Sequence, residues 1–307
     1  MSSLEDIAKG KSDILRPYNS EIDTILYYGL IAPYLRNYLR GRELATKIWL
    51  FKGSLKAIVK RGSSEEPLYI DDLASSVTSD LLAAREKYGE LHTARPYITD
   101  KQELAWKYFV PRRLIGFHYA TNREGEGREI TRVFLDLDRG YGISASDALD
   151  AAIALVSVMQ SDDKYDQYFK REPFIAWTGS SFHVMLTLRS TQPAGFYSFH
   201  LEASGGSNVS MVEQWADQVN GRVQFKVVAG HTRQKGMLNI DASGTPSGKL
   251  CRVPLGSLHM QDASTVDGVS VPLTADMLHR DLLPGLESYT PEKIIEDIRE
   301  LAARLPS

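Results

Sequence analysis

The sequence predicts an α+β fold, and three observations carry that prediction. Apolar residues near the N-terminus recur at helical spacing and then give way to a short hairpin. At Ile130 the pattern changes to apolar strands alternating with helices. Within that second region Val133-Phe134-Leu135-Asp136-Leu137-Asp138 is an apolar run ending in two carboxylates two residues apart.

The first helix is marked by Ile22, Ile25, Leu26, Leu30 and Ile31. Pro33 is expected to break or kink it before Tyr34, Leu35, Tyr38 and Leu39 continue the pattern to Gly41. Ile48–Phe51 and Leu55–Val59 read as strands around a Gly53-Ser54 turn. Helices are expected over Asp71–Tyr88 and Asp100–Phe109, followed by Gly116–Ala120 and a polar loop from Thr121 to Glu129. Val133–Leu137 is a strand. Ser144–Met159 is a helix opened by Ser144, with Asp147 three residues on as in a capping box. Phe174–Trp177 and Phe182–Leu188 flank a short turn. Met211–Val219 reads as a helix, and Val223–Val228 and Met237–Ile240 as strands. Thr290 and Pro291 open a closing amphipathic helix that carries Ile294, Ile295, Ile298, Leu301 and Leu305 on one face.

At 307 residues, 43% hydrophobic and 24% charged, the chain can bury a substantial core. Its net charge of -3 is unevenly spread. Arg36 to Arg61 holds eight basic residues against Glu43 alone, so this segment carries +7 and the remainder -10. Such a patch suits a polyanion, or is simply a solvated face. Cys251 is the single cysteine, which excludes disulfide frameworks and multi-cysteine zinc or iron–sulfur sites. The first residues lack a signal-peptide pattern and no apolar run could span a bilayer, so a cytoplasmic protein with no membrane partner is expected.

On a strand, residues i and i+2 share a face, so Asp136 and Asp138 project together while Leu135 and Leu137 enter a core. Adjacent carboxylates repel unless a cation lies between them, and Mg2+ or Mn2+ resolves that conflict. A strand end with surface acids is the plainer alternative. Thr178-Gly179-Ser180-Ser181-Phe182-His183 joins two strands with small and hydroxyl residues. Such a turn can present backbone N–H groups to an anion, with Ser181 and His183 on one face. It reads equally as a surface turn with a structural histidine. Met237-Leu238-Asn239-Ile240-Asp241 is a second apolar strand ending in a carboxylate, and Arg252 and His259 follow in "RVPLGSLH".

In this order the segments "FLDLD", "TGSSFH" and "LNID" resemble the catalytic signature of the archaeo-eukaryotic primase superfamily. "RVPLGSLH" looks like the Arg-and-His region that follows it. "YYGLIAPYLRNYLRGREL", Tyr27 to Leu44, is similar to the opening of the polymerase domain of bacterial ligase D and its stand-alone relatives, so the likeness runs from about Ile22 to about Leu273.

The resemblance implies a catalytic core with mixed or antiparallel sheets flanked by helices. It divides one primase-polymerase module into an N-terminal helix-and-hairpin subdomain (1–125) and a metal-binding core (126–307). It implies template-dependent addition of NTPs or dNTPs to a nucleic-acid 3' end by two divalent ions, Mg2+ or Mn2+, on Asp136, Asp138 and Asp241, with no zinc. Thr178, Gly179, Ser180, Ser181, His183, Arg252 and His259 would hold the triphosphate, and Lys52, Lys56 and Lys60 the DNA. Trp49 and Phe51 are candidates for base stacking, and His118 for a place near the nucleotide. A ligase or an end-binding protein is a further partner of this kind of module.

Two positions depart from the pattern. Gln261 stands where primase catalytic subunits often carry Lys, and "TGSSFH" lacks the Lys of the ligase D group, which leaves Arg233 and Lys235 as replacement cations. Two competing functions are a non-catalytic nucleic-acid-binding replication or repair subunit, and a D-x-D metal-dependent glycosyltransferase.

Overall fold

The computed structural model describes residues 3–9, 24–50, 55–62, 64–110, 115–170, 172–203, 209–232, 234–260 and 265–306, with the backbone alone for 8, 9, 49, 50 and 55–60. The fold is α+β, with antiparallel and mixed sheets flanked by helices. Two compact units share the chain: residues 1–119, 252–270 and 289–307 form one, and 120–251 with 271–288 form the other. The expected subdomains 1–125 and 126–307 are contiguous, whereas these units interleave.

The first unit is organised by the helix Thr24–Leu39, which is buried on nearly every side. Tyr27 and Tyr28 are fully buried, so each hydroxyl needs a partner. Tyr27 donates to the Gly256 carbonyl at 2.8 Å and Tyr28 to the Ile115 carbonyl at 2.5 Å. Burial pushes both phenols above their ordinary range. Pro33 does not end this helix. Its ring lies on the exposed face, where it meets no packed neighbour. Gly29, on the packed side, meets Val77: a Cβ there would lie 2.4 Å from Val77 Cγ1.

Strands β1 (Leu44–Leu50) and β2 (Leu55–Arg61) form the expected antiparallel hairpin, and β3 (Gly116–Ala120) adds to the other side of β1. Two expected helices are each a pair. The stretch 71–88 breaks at Val77, because Thr78 caps a new helix by accepting from the Leu81 N–H at 3.3 Å. The closing helix breaks at Asp297 into Pro291–Glu296 and Ile298–Ala303.

The second unit is a six-stranded sheet built from β4 (Ile130–Arg139), β5 (Phe174–Trp177), β6 (Phe182–Gln192), β7 (Lys226–Ala229), β8 (Met237–Asp241) and a strand at Val271–Leu273. From the Val271–Leu273 edge the order is β5, β6, β4, β8, β7, and only β7 and β8 run parallel. Val133, Leu135 and Leu137 of β4 are fully buried. The helix Ala145–Gln160 packs on this sheet, and its N-terminus carries the expected capping box, with Ser144 N–H donating to Asp147 Oδ2 at 2.7 Å and Asp147 N–H returning to Ser144 Oγ at 3.0 Å. The helix Met211–Asn220 packs beside it and has a second box, Ser210 with Glu213.

A clamp of buried polar side chains ties the middle of β4 to the loop after β8. Thr245 Oγ1 accepts from Phe134 N–H at 3.0 Å and donates to Phe134 C=O at 3.1 Å. It thereby replaces the ladder that β8 supplies as far as the Asp136–Asp241 pair. Asn122 donates to the carbonyls of Thr245 and Arg132, both at 2.7 Å, and accepts from the N–H groups of Thr131 and Arg132.

Candidate functional site

Alternation along β4 turns Leu135 and Leu137 into the core and leaves Phe134, Asp136 and Asp138 on the opposite face. The register then fills in that face. Asp136 lies opposite His183 of β6 on one side and opposite Asp241 of β8 on the other. Directly opposed residues share a face, so His183, Asp136 and Asp241 form one row across three strands. One step along β4, Asp138 lies opposite Asn239.

The side chains in this row are held by close neighbours. His183 Nε2 is 3.4 Å from Asp136 Oδ1, and the His183 ring meets Phe134 edge-on with centroids 4.7 Å apart. Asp241 accepts from the Ser243 N–H at 2.8 Å and from the Ser243 hydroxyl at 2.9 Å. The Asp-x-Ser spacing is a turn signal that could have been read in the sequence, since Asp side chains commonly bond backbone two residues on. Beyond Asp241 is a cavity of about 300 Å³ lined by Tyr197, Glu202, Gly230, His231, Thr232 and Ser243 among others. Burial, and then the negative charges of Glu202 and Asp241, push the Tyr197 phenol up to about 12.

The Thr178–Ser181 turn joins β5 to β6 as expected. Gly179 takes a positive φ of 96°, a conformation open to glycine. Thr178 N–H donates to the Ser181 carbonyl at 2.9 Å, and Ser181 N–H returns to Thr178 Oγ1 at 3.0 Å. Ser181 Oγ donates to the Leu137 carbonyl, so its proton is committed to joining β6 to β4.

At the Asp138 end the two backbones come very close. Gly140 N–H donates to the Met237 carbonyl at 2.9 Å, and a Cβ on Gly140 would lie 1.8 Å from the Gln234 carbonyl oxygen. Only glycine fits there. Next to it Lys235 Nζ sits 5.7 Å from the ring centre of Tyr141, which is 82% exposed.

The sheet of the second unit thus carries Asp136, Asp138, Asp241, His183 and the Thr178–Ser181 turn, with Lys235 near its end. Arg252, His259 and His118 belong to the first unit. There Arg252 Nη1 donates to the Leu258 carbonyl at 2.5 Å, His259 Nδ1 pairs with Asp267 Oδ1, and His118 is buried in β3. Gly256, between them, has a positive φ of 69° and leaves no room for a Cβ, which would be 2.7 Å from the Tyr27 hydroxyl. Lys52, Phe51, Arg233 and Gln261 lie outside the described residues, and Lys56, Lys60 and Trp49 are described by backbone alone.

Among the described residues no group of three His, Cys, Asp or Glu side chains is disposed to hold a metal ion. Asp241 is turned to Ser243 and Asp136 to His183. The donors on this face nevertheless fit a hard divalent cation: three carboxylates and one buried amide oxygen, with no thiol. That amide is Asn239, 2% exposed. Its Nδ2 donates to the carbonyls of Gly230 and Thr232 at 2.9 and 3.0 Å, while its Oδ1 has no hydrogen-bond partner. Asn239 and Ser243 are the two members of the site that the sequence reading passed over.

Among solved structures the chain is similar to the polymerase domain from Mycobacterium tuberculosis ligase D, in a structure titled as a complex with DNA. Identity is 16% over 92% of each chain, with a TM-score of 0.52. The two share a fold. No protein-family model and no curated protein matches the sequence. No described helix is long and apolar enough to cross a membrane.

Proposed function

We propose that this protein is a template-dependent nucleotidyltransferase that adds NTPs or dNTPs to a nucleic-acid 3' end. The observation that carries this reading is the row of Asp136 and Asp241, with Asp138 one step along, on one face of a sheet in a chain whose fold is similar to that of a polymerase domain.

Asp136, Asp138 and Asp241 would hold Mg2+ or Mn2+ through carboxylate oxygens. Ions bound there supply the Lewis acidity that activates a 3'-hydroxyl and offsets charge on the leaving pyrophosphate. The chain's own residues do the rest. His183, fixed by Asp136 and by the edge of Phe134, presents its ring to the same face and would donate to a phosphate oxygen. Gly179 and Ser180, at the tip of the turn, would offer backbone donors to the triphosphate. Lys235, with Arg233, would supply the cation that "TGSSFH" lacks. Arg252 and His259 would add charge to the triphosphate, and Lys52, Lys56 and Lys60 would grip DNA, a contact that weakens steeply with salt.

The test is incorporation of labelled nucleotides opposite a template with Mn2+ or Mg2+, using primed and unprimed single strands in parallel. The Asp136→Ala, Asp138→Ala double variant is expected to lose incorporation by several orders of magnitude. Full activity in that variant would sink the assignment. Tight DNA binding with no incorporation by the wild-type protein would instead make it a non-catalytic nucleic-acid-binding subunit.

A further inference from the structure

Among the described residues, Asn239 is a buried amide on the carboxylate face whose nitrogen is bonded and whose oxygen is not. We infer that its Oδ1 is a neutral oxygen ligand for the divalent cation that Asp138 holds, a role that rests on the nucleotidyltransferase reading above.

The orientation of the amide is fixed from one side. β8 lies between β7 and β4, and Gly230 and Thr232 follow directly on the end of β7. Nδ2 donates to both of their carbonyls, so the nitrogen is turned toward β7. In a planar amide the oxygen then lies on the side away from those two carbonyls. The residue opposite Asn239 on β4 is Asp138. Rotating the amide by half a turn offers no relief, because it would set Oδ1 against two carbonyl oxygens.

The result is a carboxylate and an amide oxygen on neighbouring strands and one face, with no donor on the amide oxygen. Two acceptors disposed in this way suit a hard cation, which takes carboxylate and Asn carbonyl oxygens alike. A purely structural amide explains the Nδ2 bonds but leaves the oxygen without a purpose in a position where an unpaired acceptor is unfavourable. The Nδ2 bonds have their own consequence. Parallel strands usually need a connection of about a dozen residues, and β7 and β8 are joined by only 230–236. Asn239 pins the start of that short link through its Nδ2 alone, which leaves Oδ1 uncommitted.

The experiment is Mn2+ binding to the full chain without nucleotide, followed by the electron paramagnetic resonance signal of free Mn2+. Asn239→Ala removes both the loop bonds and the ligand, and should weaken binding roughly 10–100-fold. Asn239→Asp also removes both Nδ2 donors but keeps an oxygen at the Oδ1 position, now charged. Its second oxygen would lie against the Gly230 and Thr232 carbonyls, so it should bind Mn2+ more weakly than wild type but clearly more tightly than Asn239→Ala. Equal weakening in the two variants, or none in Asn239→Ala, overturns the inference and leaves Asn239 as a loop tether. The Asp136→Ala, Asp138→Ala variant separates this failure from that of the parent reading, since unchanged Mn2+ binding there removes the cation from these carboxylates. If Asn239→Ala does not fold, wild-type protein labelled with 13C at the Asn side-chain carbonyls decides the matter. A Mn2+–13C hyperfine coupling is expected, and its absence overturns the ligand assignment.

Discussion

Replacing Thr245 by Val tests how the carboxylate strand is held. The two side chains have nearly the same shape, so the change deletes a hydroxyl and little else. That hydroxyl accepts from Phe134 N–H at 3.0 Å and donates to Phe134 C=O at 3.1 Å, and Thr245 is fully buried. Both backbone groups of Phe134 therefore lose their partner where water does not reach. Each stranded group costs about 1–3 kcal/mol, which gives about 2–6 kcal/mol for the pair. Phe134 lies two residues before Asp136 and supports the His183 ring, so cation binding at the row should weaken along with stability. Urea unfolding followed by circular dichroism measures the loss, with Thr245→Ser as the control that keeps the hydroxyl. A Thr245→Val protein within about 0.5 kcal/mol of wild type, the range of an ordinary surface change, refutes the reasoning.

Gly244→Ala should destabilise by about 1–3 kcal/mol, because the new methyl would lie 2.4 Å from Phe134 Cδ1. The displaced ring should be visible as a shifted His183 resonance. Gly29→Ala gains about 1 kcal/mol of helix propensity yet should lower the melting temperature, since its methyl would meet Val77 Cγ1 at 2.4 Å. Val77→Ala in the same protein should recover most of the loss, and additive losses in the double variant would contradict the contact. The Tyr197 phenol, neutral when protonated, is raised from 10.0 to about 12 by burial first and by Glu202 and Asp241 after it. Its contribution to stability is complete below pH 10 and disappears as pH rises through about 12. Asp241→Asn should bring the phenolate absorbance transition part of the way down, and no movement would place Tyr197 away from Asp241.

Local pattern made β4 legible. Its alternation of Leu135 and Leu137 with Asp136 and Asp138 is a property of the strand alone, as is the Ser144–Asp147 box that opens the helix Ala145–Gln160. The row itself was only half legible. Asp241 could be nominated from an apolar run ending in a carboxylate, but its place opposite Asp136 depends on strand order and register, which are set by contacts far apart in the chain. Ser181 shows the same limit in reverse. Its type and position suit a phosphate, and its proton goes to the Leu137 carbonyl because β6 pairs with β4. Asn239 was hidden inside "MLNID", where an apolar strand pattern masks a single amide. The helix breaks at Val77 and Asp297 escaped periodicity because the apolar spacing continues across them while a cap or a change in backbone direction ends the hydrogen bonding. Of the break or kink expected at Pro33, the break is absent, since one helix runs through it from Thr24 to Leu39.

The interleaving of the two units bears on how the chain can be made and cut. It passes between them at residues 119/120, 251/252, 270/271 and 288/289. Neither unit is a continuous stretch, so no single truncation isolates either one from the other. During synthesis the first unit must wait for residues 289–307, whose Ile294 and Leu301 are buried, before its core is complete. The sheet bearing the carboxylates lacks its Val271–Leu273 edge strand until residue 273 has been made, more than 30 positions after β8 closes at Asp241. A stop anywhere before residue 271 therefore leaves both units without part of their core, rather than one of them intact.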